Sequence, residues 1–148
     1  MGKIMLIDDD YDDRLLFKET LKSTDPGITC ITCKSGVEAL KQLSLEKSLP
    51  DVLFVDINMP EVSGWELAEN LKKSEQLKEI PIIMYSTSAH QIDILKAGKI
   101  GATGYCTKPE EVRDLKELLE FICTNIHDLT KETISRSGLL CFKRVDGK

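Results

Sequence analysis

Five short runs of apolar or mixed residues recur along the chain about every 25 residues, with helix-like stretches between them, the alternation expected of a parallel sheet with crossover helices. Ile4-Met5-Leu6-Ile7, Val52-Leu53-Phe54-Val55 and Ile82-Ile83-Met84-Tyr85 are apolar throughout, which predicts strands buried on both faces. The runs at 28–33 and 104–107 mix in threonine, glycine and cysteine and suit sheet edges.

The intervening stretches carry helix signals. Ser35-Gly36-Val37-Glu38 and Ser63-Gly64-Trp65-Glu66 read as capping boxes, in which serine hydroxyl and glutamate carboxylate satisfy orphan backbone donors. Each precedes an apolar stripe: Val37, Leu40 and Leu43 in one, Leu67, Ala68 and Leu71 in the other. A first helix from Asp12 carries Leu16, Phe17, Thr20 and Leu21, and a last one from Pro109 buries Val112, Leu115, Leu119 and Ile122. The fourth, Gln91 to Ala97, has the poorest amphipathic pattern and is a candidate moving part. With the three apolar strands at the centre, the pattern predicts a doubly wound five-stranded α/β sheet of flavodoxin-like order 2-1-3-4-5, helices on both faces. Residues 1–126 form this domain. Residues 127–148 are a tail that frays, packs back through Leu139-Leu140-Cys141-Phe142, or begins a linker.

Chemistry collects where the strands end. The first runs into Asp8-Asp9-Asp10, the third into Asp56 and a loop marked by Pro60 and Gly64, the fourth into Ser86 and the fifth into Lys108. In the expected order the switch point falls between the first and third strands, placing Asp8 and Asp9 beside Asp56. Carboxylates forced together repel unless a cation neutralises them, and oxygen-only ligands with room for water suit Mg²⁺ better than zinc.

Composition narrows the classes. The chain has 148 residues, 41% hydrophobic and 30% charged, enough for one domain with a core. Its apolar runs fall far short of the roughly 20 residues a spanning helix needs, and no secretory core follows Met1-Gly2-Lys3. Five irregularly spaced cysteines argue for a reducing cytoplasm over a disulfide scaffold. Strand alternation sends Cys30 and Cys33 to opposite faces, so their CxxC spacing is not a redox or zinc pair. A net charge of −5 gives no footprint for nucleic acid.

Leu6-Ile7-Asp8-Asp9-Asp10, Val55-Asp56-Ile57-Asn58-Met59-Pro60 with Gly64, Ser86, and Gly101-Ala102-Thr103-Gly104-Tyr105 with Lys108-Pro109 together resemble a response-regulator receiver domain. The likeness runs from Lys3 to Cys123 and is to the stand-alone receivers, such as the chemotaxis regulator. It implies that Asp56 accepts a phosphoryl group from a histidine kinase or histidine phosphotransfer protein. It also implies that Asp9 binds Mg²⁺ directly, Asp8 through water and Asn58 through its main-chain carbonyl. Lys108 and Ser86 would hold the phosphoryl oxygens, and Tyr105 would turn inward as Ser86 moves, altering the face of helix 4, strand 5 and helix 5 that a downstream protein binds. By the same resemblance Asn58 and Ser88 tune loss of the phosphoryl group.

Glu110 and Thr87 depart from the family pattern, which favours an apolar residue and alanine there. Asp12 and Asp13 are assigned to the first helical turn, where negative charge meets the helix dipole, and His90 and His127 to the surface. Two other functions fit the residues: a relay intermediate passing the phosphoryl group to another histidine, and a small Mg²⁺-dependent phosphoaspartyl phosphatase. These 148 residues leave no room for a second substantial domain, and the expectation that follows is protein–protein output.

Overall fold

A computed structural model describes residues 2–45 and 47–145. The elements run β1 (Lys3–Ile7), α1 (Tyr11–Thr24), β2 (Thr29–Cys33), α2 (Gly36–Leu45), β3 (Val52–Val55), α3 (Gly64–Lys73), β4 (Ile82–Ser86), α4 (Gln91–Lys99), β5 (Gly104–Thr107), α5 (Val112–Thr124), α6 (Lys131–Ser135) and β6 (Phe142–Lys143). The sheet order is β2-β1-β3-β4-β5-β6, with the first five strands parallel and β6 antiparallel to β5.

Strand alternation divides the core in two. Met5, Ile7, Leu53, Val55 and Met84 point to one side and pack with Leu43, Leu67, Leu71, Ile94 and Ala97 of α2, α3 and α4. Ile4, Leu6, Phe54, Ile83 and Tyr85 point to the other and pack with Phe17, Leu21, Leu115, Leu119 and Ile122 of α1 and α5. Every residue of β3 is buried, as expected for a strand covered on both faces. Cys30 and Cys33 fall into different cores, so the CxxC cysteines do sit across the sheet from each other.

Several helix positions differ from the sequence expectation. Ser35 and Ser63 do accept from the amides of Glu38 and Glu66. Yet Leu16 is 40% exposed, Val37 54% and Val112 57%. Leu16 is one residue, about 100° of rotation, off the stripe formed by Phe17, Thr20 and Leu21. Val37 lies in the first turn of α2, ahead of the buried Ala39 and Leu43. Helix α5 starts at Val112 after an extended Glu111, so the Pro109 segment is loop and Val112 stands at the helix's exposed first position.

The segment after Ile126 packs back onto the domain. Leu129 and Ile134 are buried with the α1/α5 core and Val145 with the opposite one, so the segment wraps around the β5 edge instead of trailing away. Strand β5 is therefore not an edge. Gly104 is closely covered: a Cβ there would lie 3.0 Å from the Ile134 Cδ1 atom. The mixed composition of 104–107 records the tail packed on it, not exposure to water.

Gly64 fixes the approach of α3 to the β3 end. Its amide donates to the Ile57 carbonyl at 2.9 Å, and a Cβ would strike the Asp56 carbonyl oxygen. Gly64→Ala is expected to destabilise the protein by about 2 to 3 kcal/mol, the cost of forcing backbone apart at a packed contact. Chemical denaturation monitored by circular dichroism checks this.

Candidate functional site

The sheet's hydrogen bonding carries the strand ends into one place. The Asp56 amide donates to Ile7 at 2.8 Å, that of Asp8 to Cys33 at 3.0 Å, and that of Lys108 to Ser86 at 2.8 Å. The backbone thus seats Asp8, Asp56, Ser86 and Lys108 side by side at the carboxyl edge. Asp8, Asp56 and Ser86 are all buried.

Carboxylate oxygens of Asp8, Asp9 and Asp56 lie within 4.8 Å of one another. The Lys108 ammonium is 2.8 Å from Asp8 Oδ2, 2.9 Å from Asp13 Oδ2 and 3.8 Å from Asp56 Oδ1. The Asp8 contact is an ion pair without hydrogen-bond direction, and among the described residues Asp8 Oδ2 is the buried side-chain oxygen left without a hydrogen bond. Asp8 Oδ1 does accept, from the Asp10 amide at 3.0 Å. The fully buried Asp8 oxygen, the buried Asp56 carboxylate and the exposed Asp9 carboxylate make a hard oxygen donor set that fits a small divalent cation with part of its water shell.

The electrostatics follow from burial. Loss of water raises Asp56 from an ordinary 3.8 to about 7, and the negative charge of Asp8 and a hydrogen bond with Asp9 add to this, while Lys108 pulls the other way. Burial works against the Lys108 ammonium, but Asp8 and Asp13, then Asp56, outweigh it and hold its pKa above the usual lysine range. The ammonium also stands 5.7 Å from the centroid of the buried Tyr85 ring.

Ser86 and Tyr105 meet through Ser88. The Ser86 hydroxyl accepts from the Ser88 amide at 3.1 Å, and the Tyr105 hydroxyl donates to the Ser88 carbonyl at 2.8 Å. Ser88 Oγ in turn donates to Asp93 on α4 at 2.8 Å. The Tyr105 ring already lies inward, with no exposed surface. Asn58, Thr87 and Glu110 are exposed around the site mouth, and Trp65 packs at the α3 start beneath Lys96, whose ammonium is 4.9 Å from its ring centroid. His127 is exposed and pairs with Asp51 at 3.4 Å, away from the site.

Three participants were not legible as such. Asp13, assigned only to the helix dipole, is a direct partner of Lys108. The signal was present: Asp13 precedes the buried Phe17 by four residues and so shares the inward stripe of α1. Arg14 donates from Nη1 to the Asp8 carbonyl at 2.9 Å, and Tyr85 floors the lysine.

Residues 4–120 match the response regulator receiver domain family, and the chain belongs to it. It is 33% identical over 120 residues to chemotaxis protein CheY1 of Helicobacter pylori, covering 81% of this chain and 95% of that one. It is 32% identical over 106 residues to the sensor histidine kinase CheAY of the same organism, 72% of this chain but only 13% of the kinase. The phosphorylated cyanobacterial phytochrome response regulator RcpA superposes with a TM-score of 0.77 at 28% identity, covering 86% of this chain and 94% of that one. The chain is thus a receiver of two-component signal transduction, with the flavodoxin-like fold. The family is one of signalling proteins, not of turnover enzymes, which sets the phosphatase reading aside. Among the described residues no helix is long and apolar enough to cross a membrane.

Without divalent cations, the folded protein holds a proton on Asp56 that the unfolded chain releases near pH 4, so stability falls as pH rises from about 4 to about 7. Asp56→Asn is expected to flatten this slope. It should also raise stability at pH 7.5 by about 2 to 4 kcal/mol, since a tenfold change in proton affinity is worth about 1.4 kcal/mol. Urea melts across this pH range, with chelator present, check both.

Proposed function

We propose that Asp56 is the phosphoacceptor of a phosphorelay step, taking its phosphoryl group from a phosphohistidine on a histidine kinase or histidine phosphotransfer protein. The carrying observation is the Lys108 ammonium set among the carboxylates of Asp8, Asp13 and Asp56 at one sheet edge. An Asp56 oxygen attacks phosphorus in line as the nitrogen–phosphorus bond breaks, and the imidazole leaves with that electron pair and takes up a proton. Attack requires ionised Asp56, which Lys108 favours against the cost of burial. Asp8, Asp9 and Asp56, with the main-chain carbonyl of Asn58, would hold a Mg²⁺ ion, which would supply positive charge to the phosphoryl oxygens.

Lys108 exchanges Asp8 and Asp13 for a phosphoryl oxygen, a move of one charge between neighbouring anions. Ser86 accepts from Ser88 and keeps its own hydroxyl proton for the phosphoryl group. As Ser86 turns, it loosens Ser88, the residue that ties it to Tyr105 and to Asp93 of α4. The signal thereby reaches the α4–β5–α5 face, where a downstream protein binds. This is self-modification in the cytoplasm, without turnover of a small substrate.

Titration of Mg²⁺ and then beryllofluoride, a phosphoryl mimic, tests the reading by Trp65 fluorescence and backbone NMR shifts. Binding that needs Mg²⁺, vanishes in Asp56→Asn and shifts signals from Asp56 through Ser86 to Tyr105 is expected. Lys108→Ala should weaken it about 10- to 100-fold, the worth of one charge-assisted hydrogen bond. Equal binding by Asp56→Asn would overturn the assignment.

A further inference from the structure

Residues 139–145 lie where the output face is expected. Strand β6 pairs with β5 in antiparallel register, Tyr105 opposite Lys143 and Cys106 opposite Phe142. The Cys141 carbonyl accepts from Thr107 twice, from the amide at 2.8 Å and from the hydroxyl at 3.3 Å. Phe142 meets Phe121 of α5 edge to face at 5.8 Å between centroids, on one side of the sheet. Val145, buried, settles against α4 on the other. The segment therefore straps α5, β5 and α4 together, covering all three elements of that face.

Its seat on α4 is specific. Gly98 lies inside a helix, where glycine costs roughly 1 kcal/mol relative to alanine. Here a Cβ would collide with the Val145 carbonyl oxygen. The helix forgoes its preferred residue at the position where the strap's backbone touches it.

The strap also touches the site. It pairs with Tyr105, Cys106 and Thr107, a run that begins at the switch residue Tyr105 and leads directly into Lys108. Leu139, Leu140 and Cys141 wall a cleft of about 590 Å³ whose other lining includes Thr87, Lys108 and Glu110.

Resting on the phosphoacceptor reading above, we propose that residues 139–145 are a built-in occupant of the α4–β5–α5 face, which a protein partner must displace, and that phosphorylation of Asp56 loosens this occupant through β5. The ladder holds β5 in the arrangement that keeps Lys108 on Asp8 and Asp13. Recruiting Lys108 to a phosphoryl group disturbs that arrangement and so the Thr107–Cys141 bonds. Coupling of this kind is reciprocal: whatever frees the strap makes the phosphorylated arrangement easier to reach.

The test uses the full chain and Gly98→Ala, a change that favours the α4 helix while evicting Val145, with Phe142→Ala as an independent second release. Amide hydrogen exchange at Thr107 reads the strap, and exchange at Leu53, which donates to Pro81 in the sheet centre, reads global opening. Both variants are expected to speed Thr107 exchange at least tenfold with Leu53 unchanged, and to tighten Mg²⁺-dependent beryllofluoride binding about fivefold or more. Beryllofluoride should speed Thr107 exchange in the wild type. Thr107 exchange unmoved by both variants would show that the strap is not seated as described. Freed exchange with unchanged or weaker beryllofluoride affinity would show that seat and site are uncoupled, and either result overturns the proposal. Failure of the wild type to bind beryllofluoride at all would instead sink the phosphoacceptor reading.

Discussion

Withdrawing the Asp8 and Asp56 carboxylates from water is costly, and the arrangement of the site is the answer to that cost. Asp8 is fully buried, and Asp56 nearly so. Unpaired, such charges are expelled or protonated, and Asp56 does move toward protonation near neutrality. Lys108 supplies the compensating charge, and it can do so because its amide is locked to Ser86 on the neighbouring strand while its ammonium lies over the Tyr85 ring. A single ammonium shared among three acids is a makeshift. Asp8 Oδ2 still lacks a directed hydrogen bond, so the site retains an appetite for further positive charge and for a ligand able to reorganise it.

The sheet's task is to hold that arrangement without letting it relax. Phe17, Phe54 and Tyr85 form a mutual edge-to-face cluster, with centroids 5.2 to 5.9 Å apart, directly below the lysine. This apolar floor denies the carboxylates escape into water from beneath. Asp13 sits one turn above Phe17 on α1, so the helix that packs the floor also furnishes one anion of the site. Core packing and site electrostatics therefore share residues.

Legibility in the sequence followed the strength of the local pattern. The central strands were readable because burial on both faces leaves an unbroken apolar run, and the order followed from that polarity. Asp8, Asp9, Asp56, Ser86 and Lys108 were readable as a set because strand ends are easy to locate and parallel topology gathers them. Asp13 was missed because two causes, helix dipole and ion pair, favour an acid at one position, and only its phase relative to Phe17 separates them. The fate of the tail is not legible because a two-residue strand and a five-residue helix have no period to detect; their stability is tertiary. Gly104 misleads for a related reason, since a glycine covered by a distant Ile134 looks the same as one at a sheet margin.

Strand β6 has a consequence for how the protein behaves among its own copies. A parallel sheet of five strands ends in two rows of unpaired backbone donors and acceptors, each a template for another chain. With β6 antiparallel on β5, the parallel strand is covered and that side of the described sheet ends in a strand of two residues, leaving β2 as the long open edge. The final residues of the fold thus act as a hem. They keep a sheet rich in valine, isoleucine and leucine from being extended by a neighbour, at the margin nearest its most reactive edge.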